Sequence, residues 1–265
     1  MNIRYTIRRS LCPILALVAL ALAGVPDASS WTCKTHVFIA TEAGIENPRA
    51  TCFPDLSRKD NDGLLGPFHW HDPAPDAVIT PAYIDHFSVT LGVYVREGSM
   101  PSSPVKIRVP HPAGVLYWKI CDLYEMMKGS TGWEYEYYLT TIAHYVGDLS
   151  QPLHNFPSGS LPAADGRPYP EAGLWAKKAH HDFDAALDPY LPLREEQDKA
   201  MGVTAVPPEI ASADDLKREI SKIANASLAL ANACYAERRG LTKEEALTQV
   251  SMSIALLKAI MARHS

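Results

Sequence analysis

Two pairs of residues share one spacing: His144 with Asp148 in "HYVGDLSQPLH", and His180 with Asp184 in "AHHDFDAAL". Residues four apart lie on one face of a helix, so each pair can offer an imidazole and a carboxylate to a common point. One such pair is an ordinary arrangement of a solvated helix face. Two in one chain point to metal binding, because imidazole with carboxylate suits zinc and leaves it a position for water. His154 closes the first stretch after the Pro152 break and need not serve the same ion. His181 has Ala185 at its fourth place on, so it is expected to be exposed or to support a ligand from behind.

Helices must carry these pairs, and helical signals dominate the chain. Residues 212 to 238 open on a Ser/Asp cap and space Leu216, Ile220, Ile223, Leu228 and Leu230 along one face. The next stretch, 242 to 264, opens on Thr242 and Glu245 as a capping box. Residues 132 to 150 scan as a helix ended by Pro152, and 35 to 46 and 113 to 128 read as helices too. Residues 78 to 98 mix helical and β-branched runs and take no assignment, while 98 to 114 and 155 to 173 read as loops rich in Pro and Gly. The expected fold class is all-α: a single compact helical domain with long loops, its site built from loop ends and helix faces together.

The beginning of the chain reads as a signal peptide over residues 1 to 30. Arg4, Arg8 and Arg9 precede the apolar run "LCPILALVALALAG", which is short for a bilayer span, and "ASS" offers small residues for cleavage after Ser30. The remaining domain, 31 to 265, would then be secreted or periplasmic. The whole chain carries a net charge of −5, and losing the leader makes it more acidic. That argues against a stable nucleic-acid partner held by broad electrostatics. The four cysteines past the leader allow two disulfides; the pairing expected is Cys33 with Cys52 and Cys121 with Cys234. Asn225 opens an "NAS" sequon, but inside an expected helix it should go unused.

"HYVGDLSQPLH" resembles the HxxGDxxQPxH signature of bacterial zinc-dependent phospholipases C and of the fungal and plant single-strand-specific nucleases, a superfamily of trinuclear zinc phosphodiesterases. Every position of that pattern is present. The resemblance implies an ordered ligand set of Trp31, His36, Asp55, His69, His144, Asp148, His154, His180 and Asp184. By the same similarity one zinc would take Asp55, His69, His144 and Asp148, and a second His154, His180 and Asp184. A third would take His36 with the amino nitrogen and carbonyl oxygen of Trp31, Asp148 bridging it to the first. Cleavage after Ser30 would thus create a ligand, since a chain amine with a reference pKa of about 8 loses its proton readily beside a metal. Asp60 and Asp62 compete with Asp55, and His71 competes with His69. His86 and His111 fall in a long insertion and are expected to be structural or exposed.

What the resemblance implies chemically is phosphodiester hydrolysis, with Asp55 and Asp148 as the catalytic carboxylates. The short step from Trp31 to His36 looks nuclease-like, and Trp70 with Asp72 could stack on and hydrogen-bond a base. The spacing of Asp55 to His69 and the context of His180 look more like the phospholipases. Their choline cage does not carry over, because Lys34, Leu56 and Gly66 stand where it would need an acid and two aromatics. The expected function is a phospholipase C-like phosphodiesterase, with a nuclease as the alternative and a non-catalytic zinc-binding protein as the second. A phospholipid headgroup or single-stranded nucleic acid would be the substrate, any membrane contact peripheral, and the protein a monomer.

Overall fold

From Ile142 to Ser150 every side chain of one helix is buried. A helix apolar or occupied all round must have others around it. In the computed structural model this central element is α5, Trp133–Ser150, preceded by α1 (Cys33–Ala43), α2 (Phe53–Arg58), α3 (Pro81–Thr90) and α4 (Leu116–Met127). It is followed by α6 (Pro170–Asp184), α7 (Ala213–Glu237) and α8 (Lys243–His264). Helices α1, α4, α7 and α8 pack on α5. Structure is described for residues 31–58, 66–74, 76–90, 94–100, 103–109, 114–157, 170–192 and 203–264. The proposed leader, Asp60, Asp62 and His111 lie outside them.

The architecture is all-α, with one addition. Residues Tyr94–Met100 and Ser103–Val109 form β1 and β2, an antiparallel pair in the register Tyr94 to Val109 through Met100 to Ser103. The expectation of a loop across 98 to 114 is therefore corrected in part. Val105, Ile107 and Val109 supply the β-branched residues that favour a pleated backbone. The loop expected over 155 to 173 is likewise shortened, since α6 begins at Pro170. Before the hairpin, α3 starts at a Thr80–Pro81 cap, where the Tyr83 amide donates to Thr80 Oγ1 at 3.0 Å.

One large apolar cluster joins Phe38 and Ile39 of α1, Leu116, Ile120 and Met127 of α4, Ile142 and Val146 of α5, Ile220 of α7 and Ile254 and Leu257 of α8. A second joins Leu153 and Phe156 to Ala176 and Phe183 of α6 and to Leu228 and Cys234 of α7. Helix α8 is long and apolar enough to cross a membrane by composition, but half of that stretch is buried among the other helices. Both late helices open as expected: Ser212 and Asp215 exchange a capping box, and Thr242 and Glu245 exchange another. Asn225 on α7 is consumed by structure, its amide clamping both the nitrogen and the oxygen of Ile79.

Of the two expected disulfides, Cys33–Cys52 is formed. Cys121 and Cys234 are free, which corrects the second pairing. The reason is packing: Cys234 sits in the cluster beneath α6, whereas Cys121 on α4 packs against the large cluster.

Candidate metal centre

His144 and Asp148 project from one face of α5, His144 Nε2 lying 3.3 Å from Asp148 Oδ2. On α1, the ring of His36 stacks on that of His144 with centroids 4.1 Å apart, and its Nε2 lies 3.3 Å from Asp148 Oδ1. The stack requires Gly147, because a Cβ there would meet His36 Nδ1 at 2.6 Å. The glycine of the motif is thus a matter of space. The disulfide ties the start of α1 to the 3-10 turn Pro48–Cys52, and Thr51 in that turn accepts from His144 Nδ1 at 2.8 Å. Helix α2 follows directly and carries Asp55, whose Oδ1 lies 3.6 Å from His69 Nδ1 and 3.7 Å from His144 Nε2.

These distances define an electrostatic conflict. Thr51 O only accepts, so His144 Nδ1 holds the proton and neutral His144 turns the lone pair of Nε2 inward. His69 Nδ1 faces that nitrogen at 3.0 Å and Asp148 Oδ2 at 2.9 Å, with Asp55 beyond. A single N–H from His69 cannot satisfy three acceptors, whereas one cation can. Burial lowers the pKa of His144, but the charges of Asp148 and Asp55 outweigh it and hold the imidazole above its ordinary value. Burial would raise Asp148; His144, with hydrogen bonds from His144, His36 and His69, brings it well below the carboxylate range. The pocket calls for positive charge, supplied by a proton or by a metal.

A third group lies beside the first two. His154 sits in the 3-10 turn Pro152–Asn155, and His180 and Asp184 are one turn apart at the end of α6, with Nδ1 to Oδ2 at 2.9 Å. Gln151 builds this corner: its Oε1 accepts from the amides of Leu153 and His154, and its Nε2 donates to Asp184 Oδ1 at 2.7 Å. Burial lowers His154 to about 3 and so keeps its ring neutral, and burial raises Asp184 to about 6 against His180 and Gln151. His154 Nδ1 is buried and has no hydrogen-bond partner among the described residues.

Among the described residues, three sets of side chains could therefore each hold a metal ion: His36, His144 and Asp148; Asp55, His69 and His144; His154, His180 and Asp184. Within each, the ligand atoms lie inside 4.8 Å of one another. Asp148 joins them. Its Oδ2 faces His69 and His144, and its Oδ1 faces His36 and, at 3.8 Å, His154. Asp55 and His180 keep the most exposed side-chain area of these ligands, 17% and 14%, marking the open edge.

Trp31 is fully buried; its indole donates to Ser150 Oγ at 3.2 Å, and the Thr32 amide donates to Asp184 O at 3.3 Å. These contacts bring the start of α1 against the ends of α5 and α6. His71 is turned elsewhere, toward Tyr83 Oη at 2.9 Å and Gly114 O at 3.3 Å, while its amide donates to His154 O. Trp70 is half-buried beside Gly114, and Asp72 is buried near Tyr83, whose phenol burial and that carboxylate push up to about 12. Neither joins the three groups. His86 and His181 are exposed and stand apart from them. Sequence reasoning missed Thr51, Gln151 and Gly147 as supports; the motif itself marks the last two, and Thr51 acts through a backbone oxygen that leaves no signal.

No protein-family model matches the chain, and no curated protein matches it.

Proposed function

We propose that this chain is an exported zinc-dependent phosphodiesterase, closer to the phospholipases C than to the single-strand-specific nucleases. The observation that carries the proposal is the continuity of three His/Asp groups around Asp148, most open beside Asp55 and His180. Nitrogen and oxygen donors in sets of three, one of them a shared carboxylate, fit zinc with room for water and for a phosphate oxygen. Zinc bound there would supply Lewis acidity and lower the pKa of water from about 15.7 toward 7.

The chain's own residues do the rest. Asp148 holds the groups in one array and balances their charge. Asp55, a partly exposed carboxylate, would accept a proton from the attacking water or orient it. His180, the other partly exposed member of the array, would serve the side of the leaving oxygen, and Thr51 and Gln151 fix the rings and carboxylates behind them. Removal of residues 1 to 30 would free the amine of Trp31 to join His36. The phospholipase reading is preferred because Asp72 is buried, leaving no open acceptor for a base.

The test is hydrolysis of bis(p-nitrophenyl) phosphate by purified protein with its zinc content measured. Turnover should be abolished by chelation and by Asp148→Ala, and assays on phosphatidylcholine, phosphatidylinositol and single-stranded DNA assign the substrate. A fully zinc-loaded protein that turns over none of these would make it a metal-binding protein without catalysis.

A further inference from the structure

We propose that Asn155 and Tyr117 are positioning residues that set where His154 stands against Asp148. Asp148 belongs to α5 and His154 to the turn that follows it, with Asp148 Oδ1 lying 3.8 Å from His154 Nδ1. The place of the third group relative to the other two is therefore decided in the few residues between, where the helix stops. Pro152 ends α5 and leaves its last carbonyls without helical donors. Asn155 supplies them. Its Nδ2 donates to Leu149 O at 2.8 Å and to Gln151 O at 3.2 Å, reaching back across the turn to the end of the helix. Its Oδ1 accepts from the Tyr117 hydroxyl of α4 at 2.8 Å.

Chemistry allows this pair one arrangement. Both carbonyls only accept, so the amide must present Nδ2 to them, and Oδ1 is left for the phenol. Burial holds the Tyr117 phenol well above its ordinary value, so it keeps the proton it donates. Asn155 is fully buried and Tyr117 nearly so, and solvent does not replace a bond lost there.

The turn is gripped from its other side as well. The His71 amide donates to His154 O at 2.8 Å, and the His71 ring packs on that of Tyr117 with centroids 4.7 Å apart. Tyr117 thus backs both grips, one through its hydroxyl and one through its ring. His154 Nδ1, the nitrogen near Asp148, is buried with no hydrogen-bond partner among the described residues, so no bond of its own would hold it there if the turn moved. Gln151 touches the Asp184 carboxylate directly, whereas Asn155 acts on the centre through backbone carbonyls and through the turn they belong to. The inference rests on metal binding at the centre, as proposed above, and not on phosphodiester hydrolysis.

The experiment is stepwise cobalt(II) titration of the full chain, read by visible absorption and by competition with a chromogenic chelator, with melting temperature measured in chelator. His180→Ala identifies the step that belongs to the third group. Asn155→Leu should weaken that step about 10- to 100-fold and shift its absorption, while the steps that His180→Ala retains stay unchanged. Combined with His180→Ala, it should lower the melting temperature and leave the remaining affinities alone. A residue that merely supports the fold would weaken all steps alike or none. Tyr117→Phe keeps the amide's bonds to both carbonyls; it should weaken the same step about tenfold, and it decides the matter if Asn155→Leu does not fold. Unaltered affinity at the third step in both variants, equal weakening of every step, or a loss of affinity that persists without His180 would each overturn the proposal. No cobalt binding by the unaltered chain would overturn it together with the proposed function. A third step weakened as expected in a protein that turns over no phosphodiester would support the positioning and count against the hydrolysis alone.

Discussion

At the residue scale the centre depends on side chains that hold no ligand position. Gln151 touches both the Asp184 carboxylate and the amides that shape the His154 turn. Gln151→Ala should weaken zinc binding about 10- to 100-fold at the third group, measured by competition with a chromogenic chelator, because the orienting partner is lost. Gly147→Ala presents opposed effects. Alanine improves helix propensity by about 1 kcal/mol, yet its methyl would overlap the His36 ring, and overpacking costs about 1–3 kcal/mol. The expected outcome is a retained helical spectrum with fewer zinc ions per chain; unchanged stoichiometry would remove the spatial account of that glycine. The spacing of His144 to Asp148 and of His180 to Asp184 was readable because helical geometry is local. The orientation of His71 toward Tyr83 was not, since that partner comes from α3, a helix the sequence left unassigned.

At the element scale the readable pieces were those with caps and sustained periodicity, notably α5, α7 and α8. The segment from α3 to β2 defeated the reading because β-branched and helical residues alternate there without a clean period. Pairing Cys121 with Cys234 failed because counting cysteines is blind to which cluster each joins. The disulfide that does form spans a sequence separation of 19 residues. Replacing both Cys33 and Cys52 by Ala should cost about 3 kcal/mol on chain-entropy grounds. It should also loosen zinc at His144, since Thr51 beside the bridge orients that ring. Denaturant melts and zinc titration check both, and a stability loss with affinity untouched would separate the staple from the site.

At the scale of the whole molecule, burying so many imidazoles makes the metal-free protein sensitive to acid. His154 is lowered from 6.5 to about 3 by burial, so between those values the unfolded chain binds the proton that the native chain refuses. Stability therefore falls with pH in that window, by about 1.4 kcal/mol per unit for each such group. Burial lowers His36 and His69 in the same direction. Asp184, raised to about 6, works oppositely, adding stability as pH falls from 6 toward 3.8. His144, held above its ordinary value, works with Asp184; three groups against two predict a lower melting temperature at pH 5.5 than at 7.5 in chelator, and a rise on acidification would contradict the burial account. The shared carboxylate of Asp148 has one more consequence. Since its two oxygens face different groups, filling one group changes the free energy of filling the next, and by thermodynamic linkage the influence is equal in both directions. The centre would then load as a coupled system, its later ions reporting on the earlier ones, rather than as three independent sites.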